Sequence, residues 1–141
     1  MPDRSPLLDT GPLVALLSAT DAQHRICLDT FAKLNPPLLT CWPVLTEAAW
    51  LLRKQSRPLD RIADAHAAGL FEVLILGNDC LAEIAAIMRR YEDIGLQLAD
   101  AAPAYLADRE GIRTVFTLDR RDFSIIRLKR NRPLRLIPQV Q

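Results

Sequence analysis

The sequence predicts a three-layer α/β/α fold, in which a central, mostly parallel sheet is covered by helices on both faces. Short apolar runs with strand character alternate along the chain with segments of helical periodicity, and strands separated by helices form parallel sheets. The chain has 141 residues, 50% hydrophobic and 25% charged, which is ordinary globular composition. This length favours a single domain over residues 1–141, large enough to bury a proper core.

The first half of the chain is expected to form two strands and four helices. Proline marks two of the helix starts, because it is best tolerated in the first turn. The elements are a strand at residues 5–8, a helix opened by Pro12, a helix capped by Asp21 and ending near Lys33, a strand at residues 38–42, a helix from Pro43 and, after a break at residues 56–58, an alanine-rich helix that ends near Gly69.

The helix from Pro43 carries one apolar stripe, formed by Val44, Leu45, Ala48, Leu51 and Leu52. Trp42 and Trp50 flank this stripe. We therefore expect both tryptophans to lie in the core and not to serve as base-stacking platforms.

The second half is expected to contain two long helices, two strands and a possible further strand. Gly111 is a suitable C-cap for the second of these helices. Pro103 is expected in its first turn, since proline cannot donate a helical hydrogen bond. The elements are a strand at residues 71–76, a helix capped by Asn78 or Asp79, a helix that begins near Leu98, a strand at residues 114–118 and a possible fifth strand at residues 134–137.

Composition excludes several classes of protein. No apolar run reaches the ~18 residues that a membrane-spanning helix needs, and Asp9 interrupts the N-terminal apolar stretch, which argues against a signal peptide. The three cysteines are odd in number and far apart, so we expect neither a disulfide framework nor a zinc site. The same pattern leads us to expect a cytoplasmic location. The cysteines are expected to be small core residues.

The sequence also lacks the residues of common catalytic and nucleotide-binding motifs. It contains two histidines, His24 and His66, both on predicted helices, which leaves little for histidine-based catalysis. The first strand is followed by DTGP and not by a glycine-rich phosphate-binding motif.

Four acidic residues are predicted to meet at one edge of the sheet. Asp9 and Asp119 directly follow apolar strands, and sites in open parallel sheets form beyond the carboxyl ends of the strands. Asp100 lies at the start of a helix, on a face of small or apolar residues, and Glu47 borders an apolar helix stripe. Carboxylates in such positions are costly unless something compensates their charge.

Each acid alone has an ordinary structural explanation, as a turn residue, a helix cap or the edge of a buried face. Together they favour a binding site for a divalent cation, which would compensate their mutual repulsion. Oxygen-only ligands select hard ions, so the expected cofactor is Mg²⁺ or Mn²⁺.

Four segments resemble the successive motifs of PIN-domain ribonucleases, most closely the VapC-type toxins of toxin–antitoxin pairs. They are LLDTGPLVALLSATDAQH, LTEAAWLL, YEDIGLQLADAAPAYLA and VFTLDRRDF, in the family's order over nearly the whole chain. The resemblance implies a compact α/β/α domain that cuts RNA with Mg²⁺ or Mn²⁺, usually as a homodimer, and that is inhibited by a cognate antitoxin. Pro103 departs from the pattern, which expects a residue able to continue the helix.

Carried over by motif, the resemblance implies an acidic quartet of catalytic and metal-binding residues at Asp9, Glu47, Asp100 and Asp119. It implies supporting roles for Thr117 and Asp122. We expect Asp9 and Asp100 to hold the principal ion, with Asp119 and Glu47 completing the shell or holding a second ion.

The net charge is only +1, but positive residues are concentrated near the C-terminus. Such a run is usually a solvated face. Beside a site that handles phosphates it would contact the RNA backbone, through Arg120, Arg121, Arg127, Lys129 and Arg130. Two alternatives remain open at this point: a non-catalytic RNA- or protein-binding module, and a metal-dependent phosphohydrolase that acts on DNA or a nucleotide.

Overall fold

A computed structural model describes residues 5–139, which form a five-stranded sheet, a separate two-stranded hairpin and seven α-helices. The seven strands are β1 (Leu7–Leu8), β2 (Leu38–Thr40), β3 (Phe71–Val73), β4 (Thr114–Phe116), β5 (Arg127–Leu128), β6 (Arg132–Pro133) and β7 (Arg135–Ile137). The seven helices are α1 (Thr10–Leu17), α2 (His24–Phe31), α3 (Trp42–Leu51), α4 (Pro58–Ala67), α5 (Cys80–Arg90), α6 (Leu98–Glu110) and α7 (Arg120–Ile125). Two short 3-10 helices, Glu92–Ile94 and Lys129–Asn131, complete the secondary structure of this range.

The central sheet has the strand order β3-β2-β1-β4-β7, and every pair in it is parallel. The predicted α/β fold with a mostly parallel sheet flanked by helices is therefore confirmed, including a fifth strand near the C-terminus. The hairpin of β5 and β6 is antiparallel and lies outside this sheet.

The core is built on the central strands. Leu7, Leu8, Leu38, Val115 and Phe116 are all almost fully buried. Burial on both faces is what parallel strands covered by helices require, and it explains why these runs are continuously apolar instead of alternating.

All three cysteines are buried and free, as expected of small core residues. Burial raises the pKa of the Cys41 thiol to about 12 and that of Cys27 to about 11, so neither is a candidate nucleophile at neutral pH. Within residues 5–139, no helix is both long and apolar enough to cross a membrane.

Several predicted boundaries were wrong. The first four strands are shorter than expected, and Trp42 begins α3 instead of ending β2. Asp21 is not the N-cap of α2: its Oδ1 accepts a hydrogen bond from the Gln23 amide, and the helix begins at His24. In both regions a short turn lies where the apolar pattern alone predicts a continuous strand or helix.

The expectation that Pro103 lies in the first turn of its helix was also wrong. α6 begins at Leu98, so Pro103 is the sixth helical residue, inside the helix and buried. Its missing amide leaves the Ala99 carbonyl without its usual helical donor. The helix tolerates this because it packs against α5 and α3, and tertiary packing supplies most of the stability of a helix in a protein.

The largest error in the predictions from sequence concerns the residues of α3. Val44, Leu45, Ala48 and Leu52 are buried as predicted, but Leu51 is half exposed, and Trp42 and Trp50 are each 62% exposed. The tryptophans are therefore not core residues. α3 packs against α1, α6 and α4, and its buried stripe lies on a different face of the helix from both tryptophans.

Candidate active site

Parallel register brings the first and fourth motifs together. Leu7 pairs with Val115 and Leu8 with Phe116, so the residue that follows β1, Asp9, lies beside the residue that follows β4, Thr117. The Asp9 amide donates a hydrogen bond to the Phe116 carbonyl at 3.0 Å, which continues the ladder past the last paired residue. Two apolar strands that end on polar residues thus place those residues at one edge of the sheet.

The close approach of the two loops also explains a glycine in the first motif. A Cβ at Gly11 would lie 3.3 Å from the Cβ of Leu118, on the loop after β4. Only a residue without a side chain fits here without a shift of its neighbour. Gly11 therefore lets the first turn of α1 pack directly against the segment that carries Thr117 and Asp119.

Thr117 connects two of the predicted acids through one hydroxyl group. Its Oγ1 donates to Asp9 Oδ2 at 2.7 Å and accepts from the Asp119 amide at 2.9 Å. Thr117 is fully buried, and Asp9 is only 4% exposed. The hydroxyl therefore both partners a buried carboxylate and orients the loop that carries Asp119.

We expect Thr117→Val to destabilise the metal-free protein by about 2 kcal/mol, because it keeps the shape of the side chain but leaves a buried carboxylate and an amide without their partner. Thr117→Ser, which retains the hydroxyl, is the control and should lose much less. Chemical denaturation in the presence of a chelator measures both. Equal stability of the two variants would show that the hydroxyl does not hold the loops together.

Asp100 reaches the same edge from the start of α6. It is the third residue of the helix, and its Oδ2 accepts a hydrogen bond from the Gln97 amide at 3.2 Å in a capping box. α3 packs against α6, which brings Glu47 near enough to Asp100 for mutual repulsion. Glu47 is the most exposed member of the predicted quartet.

Asp119 and Asp122 lie at the start of α7. Asp119 is the N-cap of this helix, and its Oδ1 accepts a hydrogen bond from the Asp122 amide at 3.3 Å. Asp100, Asp119 and Asp122 each offer one carboxylate oxygen, and these three oxygens lie within 4.8 Å of one another. Asp122, for which only a supporting role is expected from the sequence, is therefore part of the tightest acidic cluster among the described residues.

The acids repel one another and are partly shielded from water. Burial raises the pKa of Asp9 to about 7, against the opposing hydrogen bond from Thr117, and Asp100 and Glu47 add to the rise. Burial, with repulsion by Asp119, Glu47 and Asp122, raises the pKa of Asp100 to about 6. The pKa of Glu47 is raised by burial and by Asp119, and that of Asp122 by burial and then by Asp119.

No cationic side chain among the described residues forms a salt bridge with the acids of this site. Among residues 5–139 the salt bridges are Arg25–Asp29 and Arg109–Glu110, and neither includes a site acid. An all-oxygen donor set of closely spaced carboxylates without salt-bridge partners fits a hard divalent cation. The residues that could hold it are Asp100, Asp119 and Asp122, whose oxygens converge, and the buried Asp9 interacts electrostatically with Asp100.

The predicted backbone-contact residues fall in two places. Arg120 and Arg121 begin α7, next to Asp119, and the Arg120 guanidinium donates to the Pro138 carbonyl at 2.6 Å. Arg127, Lys129 and Arg130 belong to the β5–β6 hairpin. The Lys129 amide donates to Asp108 at 3.0 Å, and Asp108 lies eight residues after Asp100 on α6, about 12 Å along the helix axis. This hairpin is therefore not immediately beside the acids.

Both histidines make local contacts outside the acidic cluster. His24 Nδ1 is hydrogen-bonded to the Ala15 carbonyl at 2.6 Å, and the exposed His66 packs its ring against Phe71. Sequence reasoning instead overlooked the exposure of Trp42 and Trp50. Their spacing was a usable signal, because residues i and i+8 with Thr46 between them share a helix face that is distinct from the buried stripe.

Comparison with known proteins agrees with the fold and the motifs. The family model described as PIN domain matches residues 7–129. Ribonuclease VapC26 of Mycobacterium tuberculosis is 32% identical over 126 residues, which covers 86% of this chain and 91% of that protein.

Two solved structures share the fold at lower identity. VapC20 of Mycobacterium tuberculosis, described as a sarcin-ricin loop cleaving toxin, has a TM-score of 0.72 at 22% identity, over 83% of this chain and 92% of that one. VapBC2 of Rickettsia felis, bound to a DNA fragment from its promoter, has a TM-score of 0.62 at 20% identity, over 94% of this chain and 97% of that one. The PIN model matches most of this chain, and the similarity to Ribonuclease VapC26 covers most of both proteins. The chain therefore belongs to the PIN-domain family and is of the VapC type.

Proposed function

We propose that this protein is a divalent-metal-dependent endoribonuclease that hydrolyses RNA phosphodiester bonds and acts as the toxin of a toxin–antitoxin pair. The observation that carries the proposal is the cluster of acids at the carboxyl edge of the sheet, with which no cationic side chain of the described residues forms a salt bridge. The likeness to Ribonuclease VapC26 supports RNA as the substrate.

The expected cofactor is Mg²⁺ or Mn²⁺, held by Asp100, Asp119 and Asp122, with Asp9 and Glu47 contributing negative charge. When bound, such an ion stabilises charge on the phosphoryl oxygens and makes water a better nucleophile at neutral pH. The residues must give up their protons to bind it. The pKa of Asp9 is raised to about 7 and that of Asp100 to about 6. Metal binding should therefore become stronger as the pH rises through this range.

The side chains of this chain position the reacting groups. The Thr117 hydroxyl holds the Asp9 carboxylate in one orientation and also accepts the amide hydrogen bond of Asp119. The two acids, which follow different strands, are therefore held together as one unit. The capping box of α6 orients Asp100 in the same way. Positioned carboxylates that need no rearrangement during the reaction are what electrostatic catalysis requires.

We further propose three partners: RNA as substrate, a cognate antitoxin protein and a second copy of the chain in a homodimer. The likeness to VapBC2 of Rickettsia felis supports an antitoxin as partner. Arg120, Arg121, Arg127, Lys129 and Arg130 are proposed to contact the RNA backbone. The free cysteines suit the cytoplasm, where we place the protein.

The test is incubation of the purified protein, freed of antitoxin, with mixed cellular RNA in Mg²⁺, in Mn²⁺ and in chelator. We expect discrete fragments that depend on metal. Single-stranded DNA and nucleotides form the substrate panel. Cleavage of these alone would favour the other phosphohydrolase, and no cleavage by folded protein under any metal would favour the binding module.

Charge reversal at the hairpin gives a second expected result. Replacing Arg127, Lys129 and Arg130 by glutamate should weaken RNA binding and flatten its salt dependence, because fewer counterions are released from the RNA. Filter binding at several salt concentrations measures this, in chelator so that no RNA is cut. Unchanged binding would return this basic run to the role of a solvated surface.

A further inference from the structure

Two tryptophans lie on the surface of α3, outside the hydrophobic core. Each is 62% exposed, and they are the only tryptophans in the sequence. Large aromatic side chains are usually buried to a high degree, and an exposed pair of them on one helix marks a binding surface. Trp42 is two residues beyond the end of β2, at the same edge of the sheet as the acids.

Helix geometry relates the tryptophans to the candidate active site. Trp50 is three residues after Glu47, so the two side chains are neighbours on the surface of α3, roughly 60° apart around the helix axis. Trp42 is a further ~80° around the helix from Trp50 and ~12 Å away along its axis. Glu47 itself is close enough to Asp100 and Asp119 to interact with them electrostatically.

The charge of this surface is positive next to Trp50. The Arg53 guanidinium lies 3.9 Å from the centroid of the Trp50 ring and donates to the Trp50 carbonyl at 3.0 Å. Arg53 and Lys54 are both exposed, and neither forms a salt bridge with any residue from 5 to 139. The Arg53 cation therefore stacks on the ring of Trp50, a residue that lies about one helical turn from Glu47.

We propose that Trp42, Trp50 and Arg53 form a binding surface for single-stranded RNA, on which unpaired bases stack on the two indole rings while Arg53 contacts the backbone. Aromatic platforms combined with cations are how single strands are held without dependence on sequence, because every base has a face that can stack. The ~12 Å between the tryptophans, from the helical rise, is about the length of two extended nucleotides. This inference rests on the proposed function, since it takes RNA as the ligand.

The occupant is argued to be RNA by charge and by location. Arg53 and Lys54 complement phosphates, and the surface begins beside the acids where the scissile phosphate would lie. A second copy of this chain is the competing occupant, because exposed tryptophans also suit a protein interface. These two occupants predict different results in one experiment.

The experiment uses the intrinsic fluorescence of the protein, which reports on this surface alone because the chain has two tryptophans. The full chain is titrated in chelator, so that nothing is cut, with a short single-stranded RNA of mixed sequence and with a duplex of the same sequence. We expect strong quenching by the single strand and weak quenching by the duplex, whose bases are already stacked.

Variants assign the effect to each ring. Trp42→Phe and Trp50→Phe keep a stacking face and leave one fluorophore each, so both should still bind and be quenched. Trp42→Leu and Trp50→Leu should each weaken binding of the single strand about tenfold, since a base–aromatic stack contributes on this scale. Both positions are exposed, so the leucine variants should melt at the temperature of the parent protein.

Three results would overturn the inference: no quenching by the single strand, equal quenching by the duplex, or leucine variants that bind normally. A fluorescence spectrum that changes with protein concentration, together with leucine variants that convert a dimer to a monomer, would assign the surface to a second copy. Quenching without RNA cleavage would refute the proposed function and leave the inference standing. Cleavage of RNA without quenching would refute the inference and leave the proposed function standing.

Discussion

Replacing Asp100 by asparagine is expected to reduce metal-dependent RNA cleavage by at least about a hundredfold while leaving the fold intact. Asparagine has nearly the same shape and can still accept the hydrogen bond from the Gln97 amide, so the start of α6 should not change. It removes one negative oxygen from the set formed with Asp119 and Asp122. The measurement is the initial rate of fragment formation at saturating Mn²⁺, with a melting curve to verify the fold.

The matched control is Asp108→Asn, on the same helix about two turns further along. The carboxylate of Asp108 accepts a hydrogen bond from the Lys129 amide, and asparagine can accept the same bond. Its cleavage rate should therefore equal that of the unchanged protein. If both variants lost activity to the same degree, the effect would come from the charge or stability of α6 and not from the acid cluster.

The second large effect is an increase in stability. We expect Asp9→Asn to stabilise the metal-free protein by about 2–4 kcal/mol at pH 8, since a shift of one pKa unit corresponds to about 1.4 kcal/mol. Burial, chiefly, raises the pKa of Asp9 from 3.8 to about 7. Asparagine carries no charge to bury and can still accept the hydrogen bond from Thr117 through its side-chain oxygen.

The pH dependence fixes the sign of this effect. Between about pH 4 and pH 7 the unfolded chain has released the Asp9 proton, whereas the folded chain still holds it. The folded state binds more protons in this window, so its stability falls as pH rises through it. The difference in stability between Asp9→Asn and the unchanged protein should therefore be near zero at pH 4, grow up to about pH 7 and stay constant above it.

Thermal melting in chelator from pH 4 to pH 8 measures this difference, which should reach about 10 °C. Asp64→Asn, on an exposed part of α4, is the control and should show none of the trend. Adding Mg²⁺ at pH 8 should raise the melting temperature of the unchanged protein more than that of Asp9→Asn. A difference that is independent of pH would mean that Asp9 is ionised in the folded protein throughout the range.

Much of the site could be predicted from local sequence. Asp9 and Asp119 each follow an apolar strand, and in parallel sheets the ends of such strands meet at one edge. Asp100 was placed correctly at the start of a helix, although the neighbouring Pro103 was not. The error arose because a proline is costly inside a helix but not forbidden, and the packing of α6 offsets the cost.

Other features depend on distances that no sequence pattern contains. The single Thr117 hydroxyl that serves both Asp9 and the Asp119 amide exists because two strands pair in one particular register. The inclusion of Asp122 in the tightest cluster follows from where the first turn of α7 points. The pKa of Asp9 depends on how completely the surrounding elements exclude water, which is a property of the packed core.

The sequence by itself determined the parallel α/β architecture and the side of the sheet on which the acids lie, because apolar runs, helix breaks and the residues after strands are local properties. Tertiary structure alone decided which carboxylate oxygens converge and how deeply each acid is buried. The physical reason is that these quantities depend on distances between elements far apart in the sequence. The oxygens of Asp100, Asp119 and Asp122 meet only once the starts of α6 and α7 have come together.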